Sequence, residues 1–442
     1  MGQLFERVKV WVAARSPRQI LLFGFALFVL YGFPGYMSND SVNQLLEARA
    51  LTFSDGHPPF MAAEWSLLDR IIAGPVLMFL LQGGLFLVGA RMIFERAFCP
   101  RGAAWAAIGT LLFPPILSVM AVIWKDAQMA AYLVAGTGYL LQPRLRARIF
   151  GLVLLIIAAL VRHNGLVAVF PIILLVFELR SGMRLARRLA VVGGAAVVLV
   201  GLTFGVSRVL TTSHVQLTPM WSDIVGVIAF GDTRSDDDLR EVLRGTPLVI
   251  DHGFQPQARI LYALRGAYRI TQGDERMFRL AETPEESAAL SRAWKDLVLG
   301  DPGAYLAYHW NDFQDLLGMN PEHPPGIMWN WFLEDSGNQV DMIDHDATWS
   351  RFQWRVSVVV YWIGVHTPLF SPWFYALLAV VVGLALCRAR LPAALLLSGV
   401  LYEFSFFPAG ANPDYRYSHW LITSVSIAVV LMVKQRLTRR RE

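Results

Sequence analysis

The chain has 442 residues, 55% of them hydrophobic and 17% charged, against about 45–50% apolar and about 25% charged in ordinary soluble domains. Its formal charge of +5 is unevenly divided: residues 208–355 hold 13 Lys/Arg against 22 Asp/Glu, and the rest of the chain holds 26 against 12. Basic residues gathered in short loops beside apolar blocks are what the positive-inside rule produces, so composition excludes an ordinary soluble enzyme and gives no support to nucleic-acid binding.

In chain order, residues 1–19 carry Arg7, Lys9, Arg15 and Arg18 before an apolar run opens at Ile20. No small-residue cleavage site follows that run, so it reads as an uncleaved first span, 20–35, with the N-terminus inside. Further apolar segments occupy 72–94, 103–123, 127–142, 149–161, 165–179, 189–207, 372–387, 392–408 and 419–434. A span needs roughly 20 mainly apolar residues to cross about 30 Å of hydrocarbon. These segments predict a polytopic α-helical membrane protein with about ten transmembrane helices, in an inner (plasma) membrane, with both termini cytoplasmic. One parity then places Arg91, Arg96 and Arg101, Arg144, Arg146 and Arg148, Arg180, Arg184, Arg187 and Arg188, and Arg388 and Arg390 inside, together with the basic tail. The two cysteines, Cys99 and Cys387, fall in inner loops, so the outer portion has no disulfide of its own.

Residues 1–207 form a first transmembrane module of about seven spans, 208–355 a mainly helical extracytoplasmic domain, and 356–442 a second module of about three spans. Segments 149–161 and 165–179 are short, the first reaching only about 20 Å at about 1.5 Å per residue. They predict a helical hairpin whose tip, 162-RHNG-165, lies below the outer surface, where polar backbone is tolerated only against protein or water. The stretch 354–373 is apolar enough to span, yet a further span would place the basic tail outside. It reads as an interfacial or re-entrant helix with Trp354, Trp362 and Trp373 at headgroup level.

Four polar clusters fall on the outer side, where ionisable groups at span ends suggest a site. The loop 36–70 contains Asp40 at a helix start and Asp55 and His57 in a Pro-rich turn; the plain alternatives are a helix cap and a turn former. The loop 124–126 offers Lys125 and Asp126 with almost nothing to solvate them, or else a snorkelling anchor. The hairpin tip supplies Arg162, His163 and Asn164, as an anion site or as one half of a buried ion pair. The last outer loop has Asp414, Arg416, Tyr417 and His419; an interfacial aromatic belt explains its tyrosines but not Arg416. Cations that hold a phosphate and a carboxylate that takes a hydroxyl proton are what sugar transfer from a lipid phosphate requires. There is no Walker A pattern or Gly-rich nucleotide fingerprint.

This order of features resembles the GT-C superfamily of integral-membrane glycosyltransferases, particularly the protein O-mannosyltransferase and aminoarabinose transferase relatives that use polyprenyl-phosphate sugars. It consists of an acidic first outer loop with an HPP turn, a short Lys-Asp loop, a basic-Asn-Gly hairpin, a large outer domain and a late Asp-x-Arg-Tyr. The resemblance covers spans one to six and, more loosely, the last outer loop. It implies a catalytic base at Asp40 and a second acidic residue of the catalytic site at Asp126. It further implies a donor-phosphate site at Lys125, Arg162 and Arg416. Asp55, His57, His163, Asn164, Asp414 and Tyr417 would contact substrate. The sequence around Asp40 is Asn39-Asp40-Ser41, without the acidic pair some relatives carry, and no cofactor or divalent metal is indicated.

The expected activity is an inverting transfer of a hexosyl or pentosyl group from a polyprenyl-phosphate donor to a glycan, lipid or protein acceptor of the cell envelope. A lipid-linked saccharide transporter or flippase, an O-antigen polymerase or ligase, and a non-enzymatic assembly protein remain alternatives. A transporter would place its polar residues near mid-bilayer and show repeat symmetry; here they gather at one face.

Overall fold

A computed structural model of the protein describes residues 15–175, 185–212, 218–264, 267–320, 350–386, 389–408, 410 and 413–439. Helices dominate, and β pairing among these residues is limited to isolated bridges. Cys387, Arg180, Arg184, Arg388 and the second HPP triplet at 323–325 lie outside the described residues, as does 321–349 of the predicted outer domain.

The N-terminal part contains α1 (Pro17–Gly32), α2 (Asn39–Ala50), α3 (Phe60–Asp69), α4 (Val76–Phe94), α5 (Pro100–Leu111), α6 (Pro114–Met120), α7 (Lys125–Leu140), α8 (Leu145–Val161), α9 (Gly165–Leu174) and α10 (Leu185–Leu210). Among the described residues, three helical stretches are long and apolar enough to cross a membrane: Val76–Phe94, Gly193–Leu210 and Tyr415–Thr438. The bent pair α5–α6 would make a fourth.

The described parts of the predicted apolar segments are mostly helical, residues 176–179 and 387 lying outside the described residues, with two corrections. The segment 103–123 is bent by 70°. Phe113 is extended and Pro114 and Pro115 follow it, and proline both lacks an N–H and restricts the residue before it, so the helix stops and restarts. The segment 149–161 is longer than its apolar count suggested, because α8 runs for 17 residues from Leu145 and Arg146 and Arg148 sit on its first turns.

Close approach of α4, α7 and α8 depends on small residues. A Cβ at Gly89 would run into the backbone of Ala135, and one at Gly151 into the carbonyl of Gly136. Small residues at such contacts let the helix backbones approach closely.

The part that follows α10 is built around α11 (Thr218–Phe230), with α12 (Asp236–Val242), α13 (Phe254–Ala263), α14 (Pro284–Gly300) and α15 (Pro302–Leu316). Trp221, Ile224 and Ile228 of α11 share one buried cluster with Phe254, Phe278, Leu290 and Leu297. The far end of α15 belongs to the other cluster, where Phe313, Leu316 and Leu317 pack with the transmembrane-type helices. Tyr305 donates to the carbonyl of Pro408 at 3.2 Å, fastening the two parts.

The remaining helices are α16 (Arg351–His366), α17 (Pro372–Leu386), α18 (Arg390–Phe404) and α19 (His419–Arg439). In α16 the buried stripe is Gln353, Ser357 and Val360, while Trp354, Val358, Val359, Tyr361, Trp362 and Val365 face outward. Polar groups inside and apolar groups outside reverse the usual amphipathic pattern. Gln353 uses its inward position to donate to the carbonyls of Tyr31 and Phe33 at 3.1 and 2.9 Å, at the end of α1.

Candidate functional site

The four polar loops meet where α1, α8 and α18 end and α4, α7 and α19 begin. The meeting depends on one irregular stretch, residues 121–124, whose backbone is held by buried side chains. Tyr36 pairs with it through a 3.0 Å bond to the carbonyl of Ala121 and a 2.9 Å bond from the amide of Ile123. Gln82 donates to the carbonyls of Met120 and Val122 at 2.6 and 3.0 Å, and Ser41 to that of Ile123 at 2.7 Å. The indole of Trp124 donates to Ser38 at 2.7 Å. An unpaired buried backbone group costs about 1–3 kcal/mol, so these partners fix the chain just before Lys125.

The cap reading of Asp40 is corrected. Ser38 caps α2 and exchanges hydrogen bonds with Ser41, which leaves the carboxylate of Asp40 available. It accepts from Arg416 Nη2 at 2.6 Å. Arg416 Nε lies 2.8 Å from Asp414 and 4.0 Å from Asp126. Asp126 in turn pairs with Arg162 Nη1 at 2.7 Å. The planar fork of arginine suits such shared contacts. Both guanidinium groups also lie over rings: Arg162 is 4.4 Å from the centre of Tyr417, and Arg416 is 4.9 Å from that of Trp124. Tyr417 stacks on Phe406 at 5.1 Å, so the aromatic residues form a platform for the cations.

Lys125 is 9% exposed and approaches His57 Nδ1 at 2.7 Å. An ammonium only donates, so Nδ1 accepts and the imidazole proton sits on Nε2. The charge of Lys125, followed by burial, pushes His57 down to about 3, and the ring is neutral at physiological pH. Lys125 itself makes no ion pair among the described residues, unlike Arg162 and Arg416. Burial would raise the Asp40 carboxyl, but Arg416, then Lys125 and His57, hold it well below the usual carboxylate range.

The structure thus brings together Asp40, His57, Lys125, Asp126, Arg162, Asp414, Arg416 and Tyr417. His163, Asn164 and His419 stand apart from this contact chain. Asp55 is exposed on the loop ahead of His57. His163 turns to α10, with Nε2 3.0 Å from Ser207 Oγ and its ring beside Phe204. Asn164 stands at the N-cap of α9 without a side-chain cap bond. His419 is fully buried within the bundle. Asp414 is committed as the anchor of Arg416 and caps the short turn Tyr415–Ser418. Asp126, 1% exposed at its side chain, is buried between Arg162 and Arg416.

Sequence reading missed Glu47, which accepts from Ser54 at 2.5 Å and stands two turns from Asp40 on α2. That spacing, with Gln44 between, was legible as one helical face. It also missed Glu64 of α3, which accepts from the Tyr132 hydroxyl of α7. Burial, opposed by that bond, lifts the Glu64 carboxyl to about 7. No His, Cys, Asp or Glu group of three or more that could hold a metal ion occurs among the described residues. No protein family, curated protein or solved structure matches the chain.

Proposed function

We propose that the protein is a membrane glycosyltransferase moving one sugar from a polyprenyl-phosphate donor to a glycan, lipid or protein acceptor at the extracytoplasmic face of the cell inner membrane. The observation that carries this reading is the pairing of a rim carboxylate, Asp40, with a guanidinium, Arg416, within electrostatic reach of an ammonium that has no carboxylate partner among the described residues, Lys125. In this reading all ten apolar segments are spans, the termini are cytoplasmic, and residues 208–355 cover the site from outside.

Lys125 and Arg416 bind the donor phosphate, while Arg162, neutralised by Asp126, holds the aromatic platform in register. The acceptor oxygen attacks the anomeric carbon as its bond to the phosphate oxygen breaks. The acceptor proton passes to Asp40, and the electron pair of the broken bond stays on the phosphate, stabilised by the two cations. His57, donating through Nε2–H, orients a sugar or acceptor hydroxyl. Inversion at the anomeric carbon follows from a single displacement.

The test is the mass of envelope glycans and lipids from cells lacking the protein. Loss of one sugar residue from a defined envelope component, restored by the wild-type chain and not by Asp40→Asn, is the expected result. An unchanged envelope would remove the assignment, and full restoration by Asp40→Asn would remove Asp40 from the mechanism.

A further inference from the structure

The charges of the site are already balanced: Asp40, Asp126 and Asp414 stand among Lys125, Arg162 and Arg416. A donor phosphate entering this cluster adds negative charge, and one carboxylate has to give way. Asp126 is buried between two guanidinium groups, with a side chain 1% exposed. Asp414 is tied to the same turn as Arg416 by the Arg416 amide at 3.3 Å. Asp40 alone has both a partly open side chain, 31% exposed, and a separate helix behind it.

We propose that the donor phosphate displaces Asp40 from Arg416, so that the catalytic base is released only in the donor complex. This rests on the glycosyltransferase reading and extends it to an order of events. Phosphate and carboxylate compete for one arginine fork, which matches the geometry of either. While the fork holds Asp40, the carboxylate is a poor proton acceptor; once the fork turns to phosphate, Asp40 gains basicity beside the acceptor. The resting site is therefore closed to acceptor deprotonation, and the donor binds first.

The full-length protein in detergent, titrated with undecaprenyl phosphate by microscale thermophoresis, should bind it about tenfold or more tightly as Asp40→Asn than as wild type, since competition for Arg416 is gone. Glu47→Gln removes a nearby charge without touching Arg416 and should shift affinity by no more than about twofold. Asp40→Ala provides the same measurement should the amide disturb folding. Equal or weaker binding by both Asp40 variants, or an equal gain from Glu47→Gln, would overturn the exchange while leaving the glycosyltransferase reading in place. Absence of binding by every form would instead overturn the polyprenyl-phosphate reading, and the exchange with it.

Discussion

Arg416 meets Asp40 at 2.6 Å across 376 positions of sequence. The contact ties the start of α2 to the turn before α19 and holds down the carboxyl of the proposed base. Asp40→Asn keeps the size of the side chain and removes its capacity to take a proton. Transfer should fall by about 100- to 10,000-fold, the usual worth of a positioned general base, while insertion and the melting profile in detergent remain close to wild type. Comparable turnover in the variant, measured with the same donor preparation, would exclude Asp40 as the base.

Lys125 is the cation of the cluster whose closest polar partner is a neutral ring. Its loss leaves the carboxylate network intact and removes a charge-assisted contact worth about 1.5–3 kcal/mol. Lys125→Ala should weaken undecaprenyl-phosphate binding by about 10- to 150-fold, with Lys125→Arg recovering part of the loss. Unchanged affinity in the alanine variant would place the phosphate elsewhere.

Asp126 should act on folding before it acts on chemistry. It faces Arg162 at 2.7 Å and Arg416 at 4.0 Å, so Asp126→Asn leaves buried positive charge uncompensated at a cost of about 3–5 kcal/mol. The expected result is a clearly lower melting temperature in detergent. Adding Arg162→Gln should return part of it, because both members of the pair are then neutral. A single variant as stable as wild type would show that the pair contributes little.

The helices were legible because long apolar blocks between basic loops constrain a membrane chain strongly. Local effects that hydropathy does not register were less so. Pro114 and Pro115 break a segment that is uniformly apolar, and α8 continues through Arg146 and Arg148 because helix tolerates them at an end. The charged residues of the site stood out as charges in short loops. Their pairing did not, since nothing local distinguishes Ser38 from Asp40 as the cap, or reveals that Arg162 would turn to Asp126 and His163 to Ser207. Glu64 was hidden for a different reason: it lies on an ordinary amphipathic helix, and only the packing of α3 against its neighbours buries it.

That burial gives Glu64 a testable signature. Its carboxyl, free at about 4.5 in the unfolded chain, is lifted to about 7 in the folded protein. The folded state therefore binds the extra proton, so the stabilisation is complete below about 4.5 and is lost as pH rises through about 7. Melting temperature in detergent should fall between about pH 5 and about pH 8 by more in the wild type than in Glu64→Gln. Parallel profiles for the two proteins would mean that Glu64 titrates normally.

The outward face of α16 leads to a prediction about its surroundings. Trp354 and Trp362 are 56% and 58% exposed, as are Val359 and Val365 at 57%, whereas Gln353 and Ser357 point into the bundle. Such a helix gains by facing hydrocarbon or the headgroup boundary and loses by facing water. Spin labels placed by cysteine substitution at Val359 and Val365, in a chain with Cys99 and Cys387 changed to serine, should be more accessible to oxygen than to a water-soluble nickel chelate in reconstituted bilayers. A label at Asp237 on α12 should show the reverse, since its side chain is 90% exposed in an acidic run. Nickel accessibility at Val359 equal to that at Asp237 would place α16 in water, and its valines and tryptophans would then require a protein partner to cover them.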